Sequence, residues 1–161
     1  MDLKQFLELF NPNPGSRYIQ ITDKFDGTTT ALAKLLREVD GELHLVSYGE
    51  REKFDENFTT TIQYIKNLKN PFRALPREHD IVIIKNILHQ HENPELLLRI
   101  SYTTLANNAN IIILQEKGTI NIESLKELLE KFEFRSANHM DILANYDVIT
   151  AKKMHMWGNG L

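Results

Sequence analysis

The sequence predicts an α/β fold, a mostly parallel twisted sheet with helices on both faces. Three observations carry that expectation. The stretch from Arg17 to Glu50 reads as strand, tight loop, helix, strand, the opening half of a nucleotide-type unit in which the loop after the first strand meets the ligand. Ile81, Val82, Ile83 and Ile84 are four successive β-branched residues, as expected of a strand buried on both faces of a parallel sheet. Strand and helix patterns alternate without a repeat, a low-complexity tract or an internal linker, so residues 1–161 are expected to form one domain.

Asp2 can cap a short helix carrying Leu3, Phe6, Leu7 and Phe10, and Asn11-Pro12-Asn13-Pro14-Gly15 ends it. This accessory helix and linker, residues 1–15, either packs on the domain or binds a partner. Tyr18, Ile19 and Ile21 make the first strand. Ala31, Leu32, Leu35, Leu36 and Val39 recur at helical spacing, and Asp40-Gly41 stops that helix. Leu43 to Val46 form the second strand. Phe54, Phe58, Ile62, Ile65 and Leu68 predict a long amphipathic helix, and Phe72 to Leu75 a brief third strand. Ile81–Ile84 is the fourth. Pro94 opens a helix with Leu97, Leu98 and Leu105 inward. Asn107 to Asn110 reads as a turn before the fifth strand, Ile111 to Leu114. Asn121 caps a helix bearing Leu125, Leu128, Leu129 and Phe132. Phe134 to Met140 and Tyr146 to Met156 read as an adjacent strand pair, followed by a flexible tail at 157–161.

Composition excludes several classes. Net charge is −3 and no basic block points to nucleic acid or an anionic membrane. No run of about 18 apolar residues predicts a spanning helix. The N-terminus lacks the basic start and long apolar run of a signal peptide. The chain has no cysteine, which rules out disulfides, thiolate catalysis and the usual structural zinc sites, and no metal site is expected. A cytoplasmic protein is the expectation.

Two polar clusters are candidates for chemistry. Asp23, Lys24 and Asp26 crowd the head of the first strand–helix unit. They either cap and solvate the helix or form a polar ligand site. His89-Gln90-His91-Glu92 lies beyond the end of the fourth strand, where open α/β sheets place ligands. It is either a solvated loop, a proton or substrate contact, or a weak metal pair without a third ligand. His44 is expected to be a hydrogen-bonded sheet residue, while His139 and His155 carry no motif.

The pattern resembles the class I S-adenosylmethionine-dependent methyltransferases. The likeness rests on TTTALAKLL after the first strand and on ALPREHDIVIIKNILHQHENPELLLR, where Asp80, Asn86, Leu88, His89 and Pro94 fall on family positions. The resemblance implies a seven-stranded, Rossmann-like sheet of order 3-2-1-4-5-7-6 and S-adenosylmethionine as cofactor. It would place Gln20, Thr22, Asp26, Gly27, Ser47 and Asn86 along the cofactor, and His89 or His91 at the acceptor. The departures are specific. Gln20 stands for the family's acid at the end of the first strand. Thr22, Lys24 and Asp26 stand for three glycines, with only the following Gly27 left. Ser47 stands for the acid that accepts both ribose hydroxyls. Weak or absent cofactor binding is therefore expected. Two functions follow: methyl transfer to an unknown acceptor through an altered loop, or a binding or regulatory module that has lost the cofactor. A homo-oligomer or a protein partner would engage the C-terminal strands through Met154, Met156 and Trp157.

Overall fold

A computed structural model describes residues 1–49, 53–54 and 61–154. Among them the order is α1 (Leu3–Leu7), β1 (Arg17–Thr22), α2 (Gly27–Arg37), β2 (Glu42–Tyr48), β3 (Thr61–Ile65) and β4 (His79–Lys85). It continues with α3 (Pro94–Thr104), β5 (Leu105–Glu116), α4 (Ile122–Lys131), β6 (Phe134–Leu143) and β7 (Tyr146–Lys153). The strands form one sheet of order β3-β2-β1-β4-β5-β7-β6. β3, β2, β1, β4 and β5 run parallel, and β7 is antiparallel to both β5 and β6. This is the expected topology, and it puts the C-terminal ends of β1, β2 and β4 side by side.

The β-branched run settles at the centre. Tyr18 to Ile21 pair in register with Ile81 to Ile84. Val82, Ile83 and Ile84 are fully buried because each face of β4 has its own layer. Val82 and Ile84 join Ile19, Ile21 and Val46 under Leu97 and Leu98 of α3 and Leu125 and Leu129 of α4. Ile83 joins Tyr18, Leu43 and Leu45 under Phe6 of the α1 segment and Leu32 and Leu36 of α2. Each fully buried aliphatic side chain contributes about 1.5–3 kcal/mol. Asp80 fixes the start of the central pair by accepting the Arg17 N–H at 2.8 Å. Phe10 and Tyr18 stack the N-terminal segment on β1, with ring centroids 5.7 Å apart.

Three expectations are corrected. Thr61–Ile65 is a strand, not the end of a helix from Phe54 to Leu68, and Phe58 lies outside the described residues. Ile62 and Ile65 fit a helical spacing, but Thr-Ile-Gln-Tyr-Ile also suits a strand; short apolar runs leave the two periods ambiguous. β3 therefore takes the sheet edge expected of Phe72–Leu75. That segment is instead held by side-chain bonds: Gln63 accepts from Arg73 N–H at 2.8 Å and donates to the Arg73 carbonyl. Asn107–Asn110 is no turn. β5 runs through it with a shifted register against β4, and Asn108 takes φ +68°, a left-handed conformation that asparagine tolerates. The stop after α2 also differs in detail. Asp40 takes the left-handed φ of +53°, and Gly41 is required by contact, since a Cβ there would lie 2.5 Å from the Ser16 carbonyl oxygen.

The strand pair at the C-terminus is antiparallel and ends at Lys153. Met154 is 38% exposed, while Met156 and Trp157 lie outside the described residues. No helix among the described residues is long and apolar enough to cross a membrane.

Candidate functional site

In a doubly wound sheet the ligand cleft opens at the carboxyl ends of the strands where their order reverses, here between β1 and β4. Strand alternation sends Gln20 and Thr22 of β1, Ser47 of β2 and Lys85 of β4 toward the α2 face, since their neighbours Ile21, Val46 and Ile84 face the other way. All four are at most 1% exposed.

These side chains bond to one another. Asp26 caps α2, accepting from the Thr28 N–H at 2.9 Å and from the Thr28 hydroxyl. The Thr28 oxygen in turn accepts from Gln20 Nε2 at 3.0 Å, and Thr29 donates to Gln20 Oε1 at 2.7 Å. The other oxygen of Asp26 meets Lys85 Nζ at 2.8 Å. A continuous polar chain therefore runs from β1, through the head of α2, to β4. Tyr146 of β7 lies beyond it, its ring centroid 5.6 Å from Lys85 Nζ. Thr22 donates to the Lys24 carbonyl at 2.9 Å, which draws the loop back over β1.

The electrostatics are those of a committed ion pair. Burial alone would push the Asp26 carboxyl up. Hydrogen bonds from Lys85 and Thr28, with the Lys85 charge, outweigh burial and hold it below the usual carboxylate value. Burial would push Lys85 down, but the bond to Asp26, with the Asp26 charge and the nearby Tyr146 and Asp23 groups, holds it above the usual lysine value. Both shifts favour the charged forms.

The sides of the cleft are drawn together as well. At Gly49, just past β2, an added Cβ would sit 2.7 Å from the Asp23 carbonyl oxygen, so the loop after β1 packs on the backbone after β2. On the other face, Tyr48 and His91 both donate to the Asn70 carbonyl, at 2.6 and 3.0 Å. The donor role of His91 follows from its other nitrogen, which accepts from the Asn93 N–H at 2.8 Å.

The structure thus brings Gln20, Thr22, Asp26 and Gly27 together at one strand end. It sets Ser47 beside Thr22 in the ladder, fully buried, with an Oγ that has no hydrogen-bond partner among the described residues. Asn86 follows Lys85 with φ +57°, and its Oδ1 accepts from the Glu116 N–H at 3.0 Å, prolonging the β4–β5 ladder. His89 and His91 diverge. His89 is exposed and its Nδ1 faces Gln115 Nε2 at 2.9 Å, whereas His91 is buried in the Tyr48–Asn70 cluster. Lys85 is the residue the sequence reading passed over. Its signal was a lysine set directly after a continuous apolar run, where the fourth strand must end beside the first.

No family model matches the chain, and no curated protein matches it. Solved structures do. A S-adenosylmethionine-dependent methyltransferase from Aquifex aeolicus superposes with a TM-score of 0.74 at 14% identity, over 95% of this chain and 90% of the other. The methyltransferase domain of citrinin polyketide synthase gives 0.71 at 16% identity, over 90% of this chain; the chain spans only 48% of that domain's length. The [4+2]-cyclase SpnF gives 0.69 at 11% identity, over 96% and 80%. At these identities the likeness establishes the class I methyltransferase fold.

Proposed function

We propose that this chain is a methyltransferase-fold binding or regulatory module whose own side chains occupy the ancestral cofactor cleft. The Lys85–Asp26 ion pair carries the reading, because it spans the β1–β4 switch point with a fully buried lysine. S-adenosylmethionine does not fit the groups present. Its ammonium and hydroxyls need free acceptors, yet Gln20 is bonded at both amide atoms, Asp26 is held by Lys85 and Thr28, and the Asn86 oxygen serves Glu116. Ser47 keeps an unmatched oxygen but is shut from solvent. Opening the cleft would require breaking a buried ion pair, which costs on the order of 3–5 kcal/mol when one partner is left alone. That alone would weaken a ligand by about two to three and a half decades.

A second reading has one observation in its favour. Lys85 places a cation at the switch point, and the carboxylate of S-adenosylmethionine could exchange with that of Asp26. Methyl transfer would then depend on positioning an acceptor near His89, the exposed histidine at this end. Calorimetric titration of the native chain with S-adenosylmethionine and S-adenosylhomocysteine separates the two. The module reading expects dissociation constants weaker than about 100 µM, given a penalty of this size. A value of a few micromolar or below would favour the enzyme.

A further inference from the structure

We infer that His44, Glu78 and His79 form a binding site for a divalent transition-metal ion of the zinc type, at the opposite end of β4 from the cleft. His44 is in the middle of β2 and His79 opens β4, so β1 lies between their strands and both imidazoles reach across it on the α3 face. His44 Nδ1 stands 2.8 Å from His79 Nε2, and Glu78 Oε1 stands 3.8 Å from the same His79 nitrogen. One ligand atom from each residue lies within 4.8 Å of the others. A tetrahedral ion with bonds of about 2.0–2.2 Å needs ligand atoms about 3.3 Å apart. The two spacings at His79 Nε2, 2.8 and 3.8 Å, lie about 0.5 Å either side of that value, and closing on an ion would bring Glu78 and His44 in from within 4.8 Å.

The surrounding hydrogen bonds point the right lone pairs inward. Thr104 donates its single hydroxyl hydrogen to the Leu75 carbonyl at 2.8 Å. Its oxygen is then an acceptor for His79 Nδ1 at 2.7 Å, so that nitrogen carries the proton and His79 Nε2 presents a lone pair. His44 has a carboxylate behind it, with Nε2 3.4 Å from Glu42 Oε2. Moving the His44 proton from Nδ1 to Nε2 turns it toward Glu42 and frees Nδ1 for an ion, with no change in net protonation. Each imidazole thus has an acceptor on its far side, the arrangement that fixes tautomer and ring angle in metal sites. A cavity of about 350 Å³ opens in front, lined also by Gln63 and Arg73, and leaves a fourth position for water. The donor set of two imidazoles and one carboxylate suits zinc over calcium or magnesium, which favour all-oxygen ligation. The assignment does not depend on how the cleft is read.

The test is equilibrium dialysis of the full chain, stripped with chelator, against zinc chloride at neutral pH, repeated with cobalt chloride for visible absorption. One equivalent should bind, with the intense cobalt bands of four-coordinate geometry. His44→Gln should abolish stoichiometric binding. Thr104→Val and Glu42→Gln, which leave the ligands in place, should each weaken it about 10–100-fold. His79→Ala removes a fully buried ring, so Glu78→Gln serves as the second ligand variant, with circular dichroism to confirm folding. His139→Gln, on β6, should change nothing. No stoichiometric uptake by the native chain, or uptake unchanged in both His44→Gln and Glu78→Gln, would overturn the assignment.

Discussion

The two ends of β4 treat polar side chains in opposite ways. At the C-terminal end, Lys85, Asp26, Thr28, Thr29 and Gln20 pair donor with acceptor in one connected chain, with Ser47 Oγ left unmatched beside it. At the N-terminal end, His44, His79 and Thr104 also bond in a row, but Glu42 and Glu78 beside them give the cluster more acceptors than donors. The first arrangement binds the fold to itself, and the second leaves room for a cation. A family position therefore says little about activity by itself; the deciding quantity is whether its hydrogen-bonding capacity is already used. The glycines of a methyltransferase loop leave backbone bare for a ligand. Thr22 and Asp26 at those positions bond within the protein instead, to the Lys24 carbonyl and to Thr28 and Lys85.

That contrast can be broken most severely at Asp26. Asp26→Ala would leave Lys85 as an uncompensated charge only 1% exposed, and should cost about 3–5 kcal/mol by urea denaturation. Lys85→Met should cost less, because the Asp26 side chain is 28% exposed and can be hydrated. Adding Lys85→Met to Asp26→Ala should recover part of the loss, giving a clear coupling in a double-mutant cycle. Equal single-variant losses with no coupling would mean that the pair does not hold the cleft closed.

Gly49→Ala comes next. A Cβ meeting the Asp23 carbonyl oxygen at 2.7 Å has no flexible neighbour to displace, so about 1–3 kcal/mol should be lost. A neutral effect in the same denaturation experiment would show the two loops to be less tightly apposed.

The pair also sets a pH dependence. Asp26 titrates lower in the folded chain than its ordinary 3.8, so its contribution is present above that value and is lost as pH falls through the folded one. Lys85 titrates higher than its ordinary 10.5, so its share is present below that value and is lost as pH rises through the folded one. Stability should therefore be flat around neutrality with respect to this pair. Asp26→Asn should flatten the acid limb by up to about 1.4 kcal/mol per pH unit. An unchanged acid limb would mean that another carboxylate governs it.

The smallest effect is the control. Lys117 and Asp141 are also a lysine–aspartate pair, at 3.1 Å, but with side chains 44% and 76% exposed. Lys117→Ala should change stability by less than about 1 kcal/mol, since solvent screens such pairs. A loss comparable to that of Asp26→Ala would refute burial as the source of the difference.

Much of the frame was legible from residues. Four β-branched residues in a row favoured a covered strand, and Asp2, Asp26 and Asn121 cap helices as their residue types predict. The third strand was not legible, because Thr61–Ile65 satisfies two periods and its outcome rests on pairing with β2. At the site, the residue types at the expected cofactor positions, Gln20, Thr22, Asp26 and Ser47, could be read directly. Their bonding to one another could not. Lys85 and Asp26 are 59 positions apart, and His44 and His79 are separated by 35; only the β2-β1-β4 order brings either pair together.

The central claim is that internal side chains, led by Lys85 with Asp26, Thr22 and Gln20, close a cofactor cleft on an otherwise intact scaffold. Its most direct test is calorimetric titration of S-adenosylhomocysteine into the native chain and into a variant carrying Thr22→Gly, Lys24→Gly, Asp26→Gly and Lys85→Met. Each glycine should lower stability by about 0.4–1 kcal/mol, so folding is checked first by circular dichroism. A folded variant should bind at least about tenfold more tightly than the native chain, a gain of about 1.4 kcal/mol. A folded variant with no gain, or a native chain that already binds at micromolar concentration, would contradict the account.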